Sequence, residues 1–254
     1  MKRILTSAVL LPIGLYAILA APPWVVLGLA TVFATCCFWE FAAIVQAGGI
    51  PIRRGLGIAA GLALMAVPGE GFPVILAAAL AALVWEFRGG RLADLFPRAA
   101  LLVFGLVYVY GAWKCAVLIH AFSPKWLLFA LGLNWIGDIS AYYAGRRFGR
   151  HKLAPSISPG KTWEGTVAAL ALAALAGYFY LGRFLPQTPP WQAVALSAAV
   201  NVLGQAGDLA ESALKRGAGV KDSGALLPGH GGFLDRFDSS LFTLPAVYFY
   251  LRWA

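Results

Sequence analysis

Residues 212–238, SALKRGAGVKDSGALLPGHGGFLDRFD, form a polar, glycine-rich run between two long apolar segments. Its 27 positions hold four cations (Lys215, Arg216, Lys221, Arg236), three carboxylates (Asp222, Asp235, Asp238), His230 and six glycines. Cations supply charge for a phosphate, glycine backbone permits close approach, and carboxylates can hold Mg²⁺ against phosphate oxygens. A solvated loop between membrane helices is the competing explanation. What flanks the run decides the fold.

The whole chain of 254 residues is 60% hydrophobic and only 12% charged, with a mean hydropathy of +0.75. That lies well outside the soluble globular range, so the sequence predicts an all-α, polytopic integral membrane protein. No linker, charge block or fixed-period repeat divides it. A single integral domain over 1–254 follows, with N-terminal helices in 1–121 and catalytic helices and loops in 122–254. Cys36, Cys37 and Cys115 fall in apolar segments without metal-like spacing, which excludes a disulfide framework or a zinc site.

Nine transmembrane helices are expected. Met1-Lys2-Arg3 and the run Ile4 to Ala20 resemble a signal peptide, but a second apolar run follows at once, so an uncleaved first helix is expected. Pro22-Pro23 breaks it from Trp24–Val45. Leu56–Val67 and Phe72–Phe87 fit a hairpin of short or tilted helices. Ala99–Ala121, Trp126–Ala144, Thr162–Leu181, Trp191–Leu214 and Phe237–Trp253 complete the set.

Placing the N-terminus in the cytoplasm puts sixteen of the 20 Lys and Arg residues on inner segments, as short cytoplasmic loops require. Lys125, Arg183 and Arg252 fall outside, and Lys114 falls within a span, where it snorkels or finds a partner other than the distant Glu40. The net charge of +9 therefore records orientation and attraction to membrane lipids or a phosphorylated substrate, with no nucleic acid as partner.

Ionisable groups at membrane depth are costly and normally face a cavity or a partner. Glu40, Asp138, Asp208 and Glu211 all lie in apolar spans. At a rise of about 1.5 Å per residue, Glu40 is roughly 24 Å, Asp208 about 26 Å and Asp138 about 18 Å from the outer ends of their helices. Three helices thus bring acids to the inner half of the bilayer, where residues 212–238 could close over a vestibule. Asp208, Glu211, Ser212 and Lys215 stand at i, i+3, i+4 and i+7 on one helix face. Polar glue between helices is the alternative. Asp235 and Asp238 form a second i, i+3 pair, where helix capping competes with the binding of one or two divalent ions.

A second inner loop, GRRFGRHKLAPSISPGKTWEG at 145–165, carries Arg146, Arg147, Arg150, Lys152 and Lys161 beside Ser156, Ser158 and Thr162. Thr162 can cap the following helix while Lys161 points at an anion. The loop lacks the GxxxxGK[ST] spacing of a nucleotide-binding P-loop. Trp163 suits an interfacial anchor, His151 a solvated position and His120 the outer interface. His230, in PGHGG, could bind phosphate, move a proton or satisfy loop carbonyls.

The 212–238 run resembles the signature of the phosphatidate cytidylyltransferases, also called CDP-diacylglycerol synthases. Ser212, Leu214, Lys215, Arg216, Lys221, Asp222, Gly224, Leu227, Pro228, His230, Gly231, Gly232, Phe233, Asp235, Arg236, Phe237 and Asp238 carry the likeness. Ser158, Pro159, Lys161, Thr162, Trp163, Glu164 and Gly165, and the helix bearing Asp208, Glu211 and Ser212, are also similar to that family. The likeness covers roughly residue 134 to the C-terminus; the first hundred residues share only apolar helices.

The resemblance implies that CTP and phosphatidate from the inner leaflet give CDP-diacylglycerol and pyrophosphate with Mg²⁺, one ion or two, at the cytoplasmic face of a bacterial cytoplasmic membrane. It implies Asp208, Asp235 and Asp238 as metal ligands. Lys215, Arg216, Lys221 and Arg236 become phosphate binders, supported by Ser158, Lys161, Thr162, Ser212, Asp222 and His230, and a homodimer is expected. Two other classes fit parts of the pattern. A CTP-dependent lipid-alcohol kinase would transfer the γ-phosphoryl group and need a base such as His230 or Asp222. An ion-coupled transporter would also keep intramembrane acids, but it should distribute charge on both sides and carry paired broken helices.

Overall fold

A computed structural model describes residues 12, 14–86, 92–226 and 231–253. The chain is nearly all-α. Most of the expected first helix lies outside the described residues, although residues 14–19 are helical.

Helix α1 spans Pro23–Ala47, and its first residue is the proline that fixes φ where no intrahelical N–H is needed. Two short helices follow, α2 (Arg54–Ala66) and α3 (Phe72–Glu86), as the lengths of their apolar runs predict. Helix α4 is continuous over Leu92–Phe122 but widens to a π-helical turn at Leu106–Gly111. It begins seven residues before the expected Ala99 and carries Pro97 inside it, one internal hydrogen bond forgone. Helices α5 (Pro124–Phe148), α6 (Trp163–Phe184) and α7 (Pro190–Gly217) form the second half with a four-residue turn of helix, α8 (Leu234–Phe237), and α9 (Ser240–Trp253).

Among the described residues, four helices are long and apolar enough to cross a membrane: α1, α4, α6 and α7. Helix α5 has the length, but it carries Lys125, Asp138, Arg146 and Arg147, which lower its apolar character.

The all-α expectation omits one element. Between α5 and α6 the chain makes an antiparallel hairpin, β1 (Lys152–Ala154) with β2 (Ser158–Thr162), pairing Lys152 with Thr162 and Ala154 with Ser158. The stretch is too short, and too rich in proline and glycine, for alternation to announce a strand.

Close approach of small residues fastens the second half. A Cβ on Gly177 of α6 would stand 1.8 Å from Ser197 Oγ of α7, and one on Gly137 of α5 would stand 2.4 Å from Asn201 Nδ2. Such glycine contacts let helices pack where lipid provides no hydrophobic drive. Asn134 of α5 donates to Ser240 Oγ (3.2 Å) and Thr243 Oγ1 (3.0 Å), which ties α9 to the same bundle. In the first half, Gly57 and Gly61 of α2 lie under the rings of Phe38 and Tyr110, and Tyr110 donates to Thr35 Oγ1 at 3.1 Å.

Lys114, inside α4, neither snorkels nor meets Glu40. Its Nζ donates to the carbonyls of Met65 (3.1 Å) and Val67 (2.5 Å), where a cation complements the open C-terminus of α2. His120, near the end of α4, is buried, with Nε2 3.1 Å from the Ile18 carbonyl.

The ends of the bundle have distinct chemistry. At one end Lys125 reaches the Phe184 carbonyl and Glu70 accepts from Tyr248. The other end gathers the hairpin, the C-terminus of α7 and residues 218–226 and 231–238, held to α1 and α4 by Phe33, Trp113, Phe233 and Phe237, whose rings sit 5.0–5.9 Å apart.

Candidate active site

The polar stripe on α7 organises the site. Asp208 Oδ2 pairs with Lys161 Nζ of β2 at 2.7 Å, and Ser212 Oγ stands 3.5 Å from Asp208 Oδ1. One turn further along, Lys215 Nζ lies 2.5 Å from Glu211 Oε2 and 2.5 Å from Asp235 Oδ1. The four stripe residues therefore share one helix face, as the i, i+3, i+4, i+7 spacing predicts, and Asp208 and Lys215 reach from it to two separate segments. Polar glue between two long helices does not describe them, because Asp208 and Lys215 pair with the hairpin and with the short helix α8.

Asp235 is the most densely bonded acid. Besides Lys215, its oxygens accept from the backbone N–H groups of Ser223 (3.1 Å to Oδ2) and Gly232 (3.0 Å). Burial pushes its carboxyl up, but Lys215 and these two N–H donors outweigh burial and hold it below the usual aspartate range. The Ser223 N–H also reaches Oδ1 at 3.3 Å, so each Asp235 oxygen accepts from two donors.

A residue outside the expected site completes this arrangement. Glu40 of α1 is only 2% exposed, and its Oε2 accepts from Ser223 Oγ (2.8 Å) and the Leu234 backbone N–H (2.8 Å). Its place in an apolar span marks it as costly in the sequence; its partner, 183 residues away, leaves no such sign. Ser223 likewise carries no sequence signal.

The hairpin is braced separately. Thr162 Oγ1 accepts from the Gly165 N–H at 3.2 Å, capping α6 as its spacing predicts. Glu164 accepts from His151 backbone N–H (3.2 Å) and contacts its Nδ1 (2.7 Å), so His151 is paired as well as exposed. Arg216 spans the two loops, with Nε 3.4 Å from the Ile157 carbonyl and an η-nitrogen 3.0 Å from the Val220 carbonyl.

The structure thus brings Lys161, Asp208, Ser212, Lys215, Asp235 and Arg216 to one end of α7, with Ser158 and Thr162 on the adjacent strand. Asp238 accepts from Ser239 N–H at 2.6 Å, a local cap, and has Asp208, Glu211 and Asp138 as electrostatic neighbours. Lys221, Asp222 and Arg236 are exposed at the rim. His230 lies outside the described residues.

Comparison with known sequences fits this geometry. The profile of the cytidylyltransferase family matches residues 1–254. The chain belongs to the cytidylyltransferase family. Among similar members, the phosphatidate cytidylyltransferase of Pseudomonas aeruginosa (strain PAO1) is 36% identical over 267 residues, covering 100% of this chain and 97% of that one. That of Bacillus subtilis (strain 168) is 47% identical over 131 residues, 51% of this chain and 48% of that one. That of Staphylococcus saprophyticus is 39% identical over 152 residues, 60% of this chain and 58% of that one. Against these last two, the match spans about half the length of the relatives.

For a cytidylyltransferase the question of a metal follows. Among the described residues no three His, Cys, Asp or Glu groups form a cage by themselves. Mg²⁺ rarely uses such a cage: one or two carboxylates, substrate phosphates and water are its ordinary ligands. Asp208 of α7 and Asp238, in the turn before α9, are hard oxygen donors that act on each other electrostatically, and Asp235 adds a third carboxylate whose Oδ1 would be freed if Lys215 turned to a phosphate, so the residues present fit that ion.

Proposed function

We propose that this chain transfers the cytidylyl group of CTP to phosphatidate, releasing pyrophosphate and forming CDP-diacylglycerol for phospholipid synthesis. The observation that supports it is the pairing of two lysines from different segments, Lys161 and Lys215, with the acids Asp208 and Asp235 at one end of α7. Two cation–acid pairs poised side by side suit a reaction that exchanges phosphate partners. The names of the relatives point to the same substrates.

The lipid phosphate is already a nucleophile at neutral pH, so no general base is needed; alignment and charge neutralisation suffice. A phosphatidate oxygen attacks the α-phosphorus of CTP, a new P–O bond forms, and the bond to the β-phosphate breaks. Lys161 and Lys215 turn from their carboxylates to phosphate oxygens as substrate arrives. Arg216, Lys221 and Arg236 draw the triphosphate to the rim, with Ser158, Thr162, Ser212, Asp222 and His230 as supporting contacts. Asp208, Asp235 and Asp238 would hold Mg²⁺, as one ion or two, which supplies positive charge for the departing pyrophosphate. A kinase would need a base such as Asp222, which stands exposed, or His230 positioned on an alcohol, and the family likeness favours cytidylyl transfer over that reading.

The topology that goes with this reading is one integral domain of nine helices in a bacterial cytoplasmic membrane, N-terminus inside, with the α7 end facing the cytoplasm, and a homodimer as the assembled form. The segregation of basic residues supports the orientation.

Purified protein in detergent, given CTP, phosphatidate and Mg²⁺, should release pyrophosphate only when phosphatidate is present. Asp235→Asn should abolish that release in folded protein. Near-normal release by the variant at saturating Mg²⁺ would remove Asp235 from the site; no release by the parent protein would overturn the reading.

A further inference from the structure

We infer that Glu40, on a helix far in sequence from the signature residues, is a positioning residue that sets the catalytic loop against α7. The inference rests on the cytidylyltransferase reading and concerns how that site is held in register.

Glu40 is buried, and one of its oxygens, Oε2, serves both chain segments that frame the loop. Ser223 Oγ donates to it from the start of the loop, and the Leu234 N–H donates from the end, each at 2.8 Å. The contact runs on through Ser223. Its Oγ lies 3.3 Å from the Asp235 backbone N–H, which donates to it, and its own N–H donates to the Asp235 carboxylate. Asp235 in turn holds Lys215. The chain Glu40–Ser223–Asp235–Lys215 therefore connects α1 to the cation on α7.

Two signature glycines owe their identity to this acid. A Cβ on Gly224 would stand 2.4 Å from Glu40 Oε1, and one on Gly232 would stand 2.5 Å from Oε2 and 1.9 Å from Ser223 Oγ. Neither position tolerates a side chain while Glu40 sits between them.

Glu40 works as an acceptor at a fixed distance. Its Oε1 has no hydrogen-bond partner among the described residues. Glutamine can therefore place its carbonyl oxygen at the Oε2 position and leave its amide nitrogen where an oxygen already lacks a donor. Aspartate keeps the charge but withdraws the acceptor by roughly 1.5 Å, one C–C bond. A role in geometry and a role in charge thus give opposite rankings. A misplacement of about 1 Å at reacting groups can cost on the order of 100-fold in rate.

The test compares Glu40→Gln, Glu40→Asp, Glu40→Ala and Ser223→Ala for CTP- and phosphatidate-dependent pyrophosphate release by the whole protein in detergent. Folding is checked by thermal unfolding and gel filtration. Glu40→Gln should retain turnover within about 3-fold, while Glu40→Asp, Glu40→Ala and Ser223→Ala each lose on the order of 100-fold. Glu40→Ala with Ser223→Ala should lose little more than either alone, because both cut one chain of contacts. Active Glu40→Asp with inactive Glu40→Gln would overturn the inference by showing that charge is what matters. Equal activity in all four would overturn it too. If Glu40→Ala fails to fold, the Gln–Asp ranking and Ser223→Ala decide. The parent protein in the same assay tests the cytidylyltransferase reading separately, since its inactivity would sink that reading whatever the variants do.

Discussion

Replacing Lys215 with alanine removes the cation that Glu211 and Asp235 share, and the two acids do not suffer equally. The Glu211 side chain is 0% exposed, that of Asp235 15%. Neither Glu211 oxygen has a hydrogen-bond partner among the described residues beyond its ion pair, whereas Asp235 retains the N–H groups of Ser223 and Gly232. The penalty therefore falls on Glu211. Breaking a buried pair by removing one partner costs about 3–5 kcal/mol, and the lower end applies because Asp235 stays bonded. A loss of ~3 kcal/mol corresponds to a fall in Tm of roughly 6–12 °C for a chain of this size. Adding Glu211→Gln replaces the stranded charge with a neutral amide and should return most of that loss. Turnover should stay absent in both variants, because the phosphate-binding cation is gone. Thermal unfolding in detergent, paired with pyrophosphate release, measures both quantities. The reasoning is refuted if Lys215→Ala leaves Tm within about 2 °C of the parent, or if the double variant recovers turnover.

Other substitutions separate local structure from chemistry. Gly232→Ala would drive a Cβ into Ser223 Oγ, and pyrophosphate release should fall on the order of 100-fold. Gly177→Ala, whose Cβ would strike Ser197 far from the site, should destabilise by about 1–3 kcal/mol yet leave kcat of the folded fraction unchanged. Thr162→Ala should cost about 1 kcal/mol by uncapping α6, read from denaturant unfolding. Because Asp235 is held below the ordinary aspartate range, its contribution to stability is whole above about pH 4 and is lost as pH falls through the lower folded value. As pH falls below about 4, unfolding of the parent should therefore steepen more than that of Asp235→Asn.

Local periodicity made most of this architecture legible. The apolar runs place the described helices to within about a turn, except the start of α4 seven residues early, and the Glu211–Lys215 pair follows from one turn of helix. Thr162 announces its own cap three residues before Gly165. What stayed hidden depends on distance along the chain. The cost of an acid in an apolar span identifies Glu40 as needing a partner, but nothing local says that Ser223 and Leu234 supply it. Lys114 posed the same problem, and its answer is the end of a helix 47 residues away rather than an acid. The π-helical turn at Leu106–Gly111 is bounded by Gly105 and Gly111, but an isolated glycine in an apolar run does not by itself announce a widened turn. The hairpin at 152–162 escaped because its pairing is set by its bracing, Glu164 on His151 and Trp163 N–H on the His151 carbonyl, more than by strand-forming residues.

The position of the transferred phosphorus tests the central claim most directly. Parallel reactions with α-labelled and γ-labelled CTP, phosphatidate and Mg²⁺ should carry the α label into the lipid fraction and leave the γ label in pyrophosphate, in equal amounts. Label from the γ position appearing in lipid, with the α label remaining in water-soluble CDP, would contradict nucleotidyl transfer and make the protein a kinase.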